Sequence, residues 1–336
     1  MYNQVSETPL ISVIIPCKNE IIHIKKCILS LINQINIPGK IEILVIDGLS
    51  TDGTRELLES LSENYKNLRV VNNPKQITPV ALNLGIKASR GKYICILGAH
   101  AEYTDEFISN SIKLMNEHLE ASCVGGPIIS KGKTKFGTSA AIAMSSVVGV
   151  GNAKHRFPDY EGYAEMACFP VFRREVFDRI GLYDEALIKN QDDELCFRLN
   201  RDGGKVFISP LVKSVYYVRD DPVSLFKQYF NYGFWRAAVL KKHKIPISFR
   251  QLVPVTFILL VIIFFVIGML LDVVWILYGL PAIYIGILLI FGAKTLIKFG
   301  FRVGVFIPLS IAILHLSYAF GTFSGLIYFN YLQRKI

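Results

Sequence analysis

Charge is absent from three long stretches in the last quarter of the chain: residues 251–271, 273–293 and 303–333 contain no Asp, Glu, Lys or Arg. A wholly soluble globule is thereby excluded as the simplest reading. Each stretch is long enough to cross a hydrocarbon core of about 30 Å, which takes about 20 apolar residues. Cysteine is scarce and scattered. Its six positions (17, 27, 95, 123, 168 and 196) include no Cys-x-x-Cys pair, so they fit neither a zinc site nor a disulfide framework and read as reduced core thiols. Residues 1–10 are polar and lack an apolar h-region, so no signal peptide is expected. Internal repeats and low-complexity tracts are missing too.

What is present fits a membrane-bound α/β protein. The 336 residues have room for one sizeable α/β domain plus an appendage. The mean hydropathy of +0.38 is high, and the excess sits at the carboxyl end. The net charge of +10 is concentrated beside the apolar stretches. Lys227, Arg236, Lys241, Lys242, Lys244 and Arg250 precede the first, and Lys294, Lys298 and Arg302 separate the second from the third. The positive-inside rule puts both clusters, and hence the globular part, in the cytoplasm, with Asp272 in a tight turn on the far side. A third span would carry Arg334 and Lys335 outside, so a re-entrant last segment stays open. Charges placed this way suit anionic lipid and argue against a nucleic-acid partner.

Periodicity predicts strands near residues 11–15, 41–46, 68–71, 93–97 and 122–125, alternating with helices near 20–35, 54–65, from Thr78-Pro79 onward and near 104–119. That alternation implies a mainly parallel sheet covered on both faces, with ligands at the carboxyl ends of its strands. Residues 130–165 read as a long active-site loop. Helices follow at 173–180 and 192–201, then strands near 206–208 and 212–218. Residues 221–242 carry an aromatic face and a basic face, which suits a helix lying in the membrane interface; an ordinary surface helix is the alternative. The expected organisation is a catalytic domain over 1–220, an amphipathic interfacial segment over 221–250 and a transmembrane region over 251–336.

Four segments then narrow the class. They are Pro16-Cys17-Lys18-Asn19-Glu20, Asp47-Gly48-Leu49-Ser50-Thr51-Asp52, the run from Asn83 through Arg90 to Tyr93, and Gln191-Asp192-Asp193-Glu194-Leu195 with Arg198. In this order they resemble the family 2 glycosyltransferases, over roughly residues 10–240. Gly98-Ala99-His100-Ala101, Phe172-Arg173-Arg174 and Tyr232-Gly233-Phe234-Trp235-Arg236 resemble the succinoglycan-type branch, which carries carboxyl-terminal membrane helices and builds bacterial exopolysaccharides. The resemblance implies a Rossmann-like GT-A fold, a nucleotide-sugar donor and inverting transfer.

It also implies roles for residues. Asp47 would accept a hydrogen bond from uracil N3–H; otherwise it is a turn residue serving its own loop. Pro16, Glu20, Asn83, Arg90 and His100 would complete the nucleotide-sugar site, Glu20 at the ribose or base or else at a helix dipole. His100 stands where the family places its Asp-x-Asp metal motif, with Gly98 in place of the first acid. A divalent cation, Mn²⁺ or Mg²⁺, is the implied cofactor, and a nitrogen ligand favours Mn²⁺. Asp192 aligns with the general base, Asp193 being its rival, and helix capping is the structural alternative. Gln191, Gln228, Trp235 and Arg236 would hold the acceptor and its diphosphate. His155-Arg156 and Arg173-Arg174 are further candidates for phosphate contacts.

The resulting expectation is an inverting, multi-pass transferase of the cytoplasmic membrane. Its partners would be a nucleotide-sugar, a lipid-linked glycan or polyprenyl carrier, membrane lipids and other members of a polysaccharide-assembly pathway. A polyprenyl-phosphate glycosyltransferase and a non-catalytic assembly subunit with a degenerate metal motif are the alternatives.

Overall fold

The computed structural model describes residues 8–332 except 213 and 247, so Arg334 and Lys335 lie outside the described residues. In chain order the elements are β1 (Ile11–Cys17), α1 (Ile24–Ile32), β2 (Ile41–Asp47), α2 (Thr54–Asn64), β3 (Leu68–Asn72), α3 (Thr78–Ala88), β4 (Tyr93–Ile96), α4 (Phe107–Glu117) and β5 (Ala121–Gly126). There follow β6 (Ile128–Lys131), α5 (Lys135–Met144), α6 (Val147–Val150), β7 (Gly162–Ala164), β8 (Cys168–Arg173), α7 (Glu175–Ile180), α8 (Gln191–Arg201), β9 (Lys205–Ile208) and β10 (Ser214–Tyr217). The helices α9 (Pro222–His243), α10 (Val253–Leu271), α11 (Val274–Phe299), α12 (Phe301–Gly304) and α13 (Ile307–Ile327) complete the chain. Two compact units result. One comprises the residues up to Ile128 with Pro158–Ser214, the other Ile129–Phe157 with the residues from Val215 onward. This cuts the chain differently from the three consecutive blocks expected.

The first unit is built on an eight-stranded sheet in the order β3-β2-β1-β4-β8-β5-β9-β7. β1, β2, β3 and β4 are parallel, as the βα alternation predicts. β8 runs antiparallel between β4 and β5, and β7 antiparallel on β9, so the sheet is mainly parallel, as expected, with two strands reversed. The β1 run Ile-Ser-Val-Ile-Ile is buried along its length because both faces of the sheet are covered. Ile11, Val13 and Ile15 pack with Cys27, Ile28 and Leu31 of α1 and with Phe107 and Ile108 of α4. Ile14, Leu44 and Ile46 face the other way, toward Leu82 and Ile86 of α3 and Leu195 and Leu199 of α8. The register pairs Cys17 with Asp47 and Ile14 with Ile96. The loops after β1, β2 and β4 therefore emerge together at the carboxyl edge.

Among the described residues, the second unit is helical apart from the β6–β10 ribbon. Residues 130–165 do not form the single long loop expected. Small residues of α5, among them Ala140 and Ala143, pack with Leu225 and Tyr229 of α9 and Ile307, Ile311 and Leu314 of α13. Glycines set the approach of α9 to α13. A Cβ on Gly321 would stand 2.0 Å from the Phe230 carbonyl oxygen, one on Gly325 2.3 Å from that of Phe234, and one on Gly233 2.0 Å from that of Tyr318. Gly321-x-x-x-Gly325 is thus a small-residue seam of the kind that lets apolar helices touch backbone to backbone. Gly321→Leu is expected to destabilise the protein by about 3 kcal/mol through overpacking, while Gly279→Leu, with no atom within 4 Å of the added Cβ, is expected to be neutral. Thermal unfolding in detergent checks this, and equal midpoints would contradict the seam.

Three helical stretches, Phe249–Leu271, Val274–Phe299 and Phe301–Leu332, are long and apolar enough to cross a membrane. Leu259, Ile262, Phe265, Leu270, Ile283, Ile287 and Ile290 are exposed along the first two, as suits helices surrounded by hydrocarbon.

Candidate active site

Two loops of the first unit are tied together at the carboxyl edge. Asn19, at φ +55°, accepts from the Thr51 amide (2.9 Å) and donates its own amide to Ser50 Oγ (2.8 Å). The Glu20 amide donates to Thr54 Oγ1 (2.9 Å). The Asp52 carboxylate accepts from the Thr54 hydroxyl (2.6 Å) and the Ile21 amide (3.2 Å). The Thr54 hydroxyl bond holds the Asp52 carboxyl below the usual carboxylate range. Pro16 and Glu20 are thereby fixed against the loop that follows Asp47.

Asp47 sits where the sequence reading puts it, but facing inward. Its side chain has no exposed surface. Ser50 Oγ donates to Oδ1 (2.5 Å), the Ser50 amide lies 3.3 Å from both oxygens, and Arg55 Nη1 stands 3.4 Å from Oδ2. Arg55 also donates to Glu59 Oε1 (2.6 Å) and to the Asn72 side chain. The guanidinium remains partly exposed at the ends of β2 and β3. The partly exposed charged group here is therefore Arg55, held from its buried side by Asp47. Sequence reasoning passed over Arg55; its place in the first turn of the helix opened by the Asp47–Thr54 loop was the available signal.

Glu20 and His100 meet. His100 Nδ1 stands 3.4 Å from Glu20 Oε1; the carboxylate is mostly buried and the imidazole mostly exposed. Glu102 is paired instead with Lys26 (3.9 Å). Position 98 is crowded for a side chain. A Cβ on Gly98 would lie 3.2 Å from the ring of Phe169, a residue held at φ +46°. The Gly98 amide and carbonyl are both bonded to the Tyr103 hydroxyl (2.8 and 3.0 Å). Among the described residues no group of three or more His, Cys, Asp or Glu is placed to hold an ion. His100 and Glu20 bring a nitrogen and a carboxylate oxygen face to face here.

Asp192, Asp193 and Glu194 form the first turn of α8, as expected, and differ in exposure. Glu194 is fully buried and gripped by Arg198, whose Nε lies 3.0 and 3.1 Å from its two oxygens. The same guanidinium donates to the carbonyls of Leu182 (2.7 Å) and Ile180. Asp193 is half-buried, Asp192 exposed, and Asp192 Oδ1 accepts from the Asp193 amide (2.9 Å). Gln191 is half-buried beside them.

Two nucleotide-sugar candidates are engaged by other groups of the protein. Asn83 is buried and brackets the backbone ahead of α8, donating to the Tyr183 carbonyl and accepting from the Tyr183 amide, both at 2.9 Å. Arg90 precedes β4 and so lies at the amino edge of the sheet, where Nε pairs with Glu42 (3.5 Å). The distance along the strands removes it from a carboxyl-edge site. Arg173 and Arg174 likewise serve backbone carbonyls, of Ala121 (2.9 Å) and Gly91 (2.6 Å), rather than a phosphate pocket.

In the second unit, Gln228 Nε2 donates to the hydroxyls of Tyr216 (2.6 Å) and Tyr232 (3.0 Å). Arg236 follows Tyr232 by one turn on the same face of α9. The Arg156 charge works against burial at Tyr229 and Tyr232, whose hydroxyls burial otherwise pushes up. His155 is buried. Trp235 packs on Phe234 and Phe329, with ring centroids at 6.0 and 5.6 Å.

A doubly covered mixed sheet with loops gathered at its carboxyl edge is an architecture shared by many enzymes, and comparison with known proteins narrows it to one family. Residues 12–181 match Glycosyl transferase family 2. The succinoglycan biosynthesis protein ExoA of Rhizobium meliloti is 32% identical over 246 residues, covering 72% of this chain and 73% of that protein. A dolichyl N-acetyl-alpha-D-glucosaminyl phosphate 3-beta-D-2,3-diacetamido-2,3-dideoxy-beta-D-glucuronosyltransferase of Methanococcus voltae is 28% identical over 324 residues, or 94% and 97% of the two chains. Among solved structures, the mannosyltransferase PcManGT of Pyrobaculum calidifontis, in complex with GDP-Man and Mn²⁺, shares the fold with a TM-score of 0.61 at 17% identity, covering 93% of this chain and 87% of that one. The chain belongs to glycosyl transferase family 2 and is a glycosyltransferase.

Proposed function

We propose that the protein is an inverting transferase that moves a sugar from a UDP-sugar to a lipid-linked or growing polysaccharide acceptor at the cytoplasmic face of a membrane. The observation that carries this is the carboxylate Asp192, exposed on a helix whose base is anchored by the buried Glu194–Arg198 pair. Such a group takes the proton of an acceptor hydroxyl as that oxygen attacks the anomeric carbon, opposite the departing nucleoside diphosphate. Asp47 positions Arg55, whose forked donors suit the oxygens of the nucleotide. Pro16 and Glu20 border that place, and Gln191 stands beside the base. His100 would hold a divalent cation, which when bound offsets charge on the diphosphate. Gln228, Tyr232 and Arg236 on α9 form a polar stripe suited to the acceptor's phosphates, with Trp235 at the headgroup level. The near full-length likeness to a transferase named for a dolichyl-phosphate-linked sugar, and the three apolar helices, support a lipid-linked acceptor. The basic flanks of the apolar stretches support the cytoplasmic orientation.

The test is nucleotide release by the detergent-purified protein from a panel of UDP- and GDP-sugars, with Mn²⁺, Mg²⁺ or EDTA and a lipid extract as acceptor. Metal-dependent release from one UDP-sugar is expected. Absence of both release and donor binding would leave a non-catalytic assembly subunit. Arg55→Lys, which keeps the charge but loses the fork, is expected to raise the donor KM about tenfold with kcat little changed, in keeping with the loss of a charge-assisted hydrogen bond. An unchanged KM would remove Arg55 from the nucleotide site.

A further inference from the structure

We infer that Glu20 is a metal ligand, forming with His100 the protein's half of a divalent-cation site in which the donor's diphosphate oxygens and water complete the coordination. The inference rests on the proposed nucleotide-sugar reaction. It adds to it the identity of the residue that replaces the acid missing at position 98.

Four observations lead there. Glu20 and His100 come from the loops after β1 and β4, which are neighbours in the sheet, so the pair is set by the fold rather than by one flexible loop. Their facing atoms, Oε1 and Nδ1, are 3.4 Å apart. Two ligands at right angles, each about 2.1 Å from one ion, stand about 3 Å apart, so a small closure brings both onto a common ion. The Glu20 carboxylate is only a quarter exposed, and its backbone amide is tied to Thr54, which anchors the residue at this edge. Finally, the other local donors are committed. The Gly98 carbonyl accepts from Tyr103, the Phe169 ring crowds a side chain at 98, Asp47 is engaged by Ser50 and Arg55, and Glu102 points to Lys26 rather than to His100.

The chemistry of the pair also selects the ion. Two protein ligands plus phosphates is a common arrangement for a diphosphate-bound cation. One nitrogen among them disfavours Mg²⁺, which demands oxygen, and favours Mn²⁺. A plain Glu–His ion pair would show no such preference and no coupling to nucleotide.

The experiment is Mn²⁺ titration of the full-length detergent-purified protein by electron paramagnetic resonance, with UDP present and absent. The wild-type protein is expected to bind one Mn²⁺ more tightly with UDP, with a nitrogen coupling to the ion that His100→Gln abolishes. Glu20→Gln and His100→Gln are each expected to weaken Mn²⁺ at least tenfold, and Glu102→Gln to leave it unchanged. Circular dichroism confirms that each variant is folded. Unaltered Mn²⁺ affinity in Glu20→Gln, or UDP binding that no metal affects, would overturn the inference and leave the transferase reading standing. A wild-type protein that binds neither UDP nor UDP-sugars overturns both.

Discussion

Asp192→Asn is expected to lower kcat by a factor of about 10²–10⁴, the range general-base catalysis supplies, with donor binding within twofold of wild type. The asparagine keeps the shape of the side chain and its acceptor oxygen for the Asp193 amide, which Asp192 Oδ1 now serves at 2.9 Å. What it removes is a carboxylate able to take a proton. Asp193→Asn, at the half-buried neighbour, is expected to cost less than tenfold. Single-turnover transfer measured beside equilibrium donor binding separates chemistry from affinity. A collapse in Asp193→Asn with Asp192→Asn near normal would move the base by one residue, and near-normal rates in both would remove the acidic turn from the chemistry.

Arg198→Ala is expected to produce the largest loss of stability, about 3–5 kcal/mol, the cost of breaking a buried ion pair from one side. Glu194 has no exposed surface, so the substitution strands a carboxylate away from water. The carbonyls of Leu182 and Ile180 lose their donor at the same time. A double change, Glu194→Leu with Arg198→Met, is expected to recover most of the stability because no charge is then left unpaired. Chemical denaturation followed through the sheet's circular dichroism provides the measurement. Additive losses in the double variant would mean that the two side chains are not energetically coupled.

The parts of the fold that were legible in the sequence are those with a local signature. The unbroken apolar runs of β1 and β2, the helical spacing in α1 and α4, and the Pro79 that opens α3 each mark their element without help from distant residues. β8 was hidden. Cys168-Phe169-Pro170-Val171-Phe172-Arg173 carries a proline that argues against a central strand, and only its pairing with β4 and β5 puts it in the middle of the sheet. α5 was hidden for the opposite reason, since a run of Gly, Thr, Ser and Ala has little apolar period and becomes helical by fitting against α9 and α13. At the site, motif order placed Asp47, His100 and the acidic turn of α8. It gave no direction to a side chain and no register between strands. Asp47 turned out to be enclosed by Ser50 and Arg55, and Arg90 to lie at the amino edge. Glu20 and His100 were each legible alone, whereas their meeting depends on β1 lying next to β4.

The division of the second unit into Ile129–Phe157 and the residues from Val215 onward has a consequence for how the chain is made. Synthesis proceeds from the amino end at about 5–20 residues per second. The sheet has all its strands once β9 has left the ribosome. α5, made before β7, β8 and β9, must wait for α13 near the end of the chain to cover its small-residue face. In that interval an early apolar surface stands open. Chains stalled before α13 are therefore expected to aggregate or to be degraded more readily than complete ones.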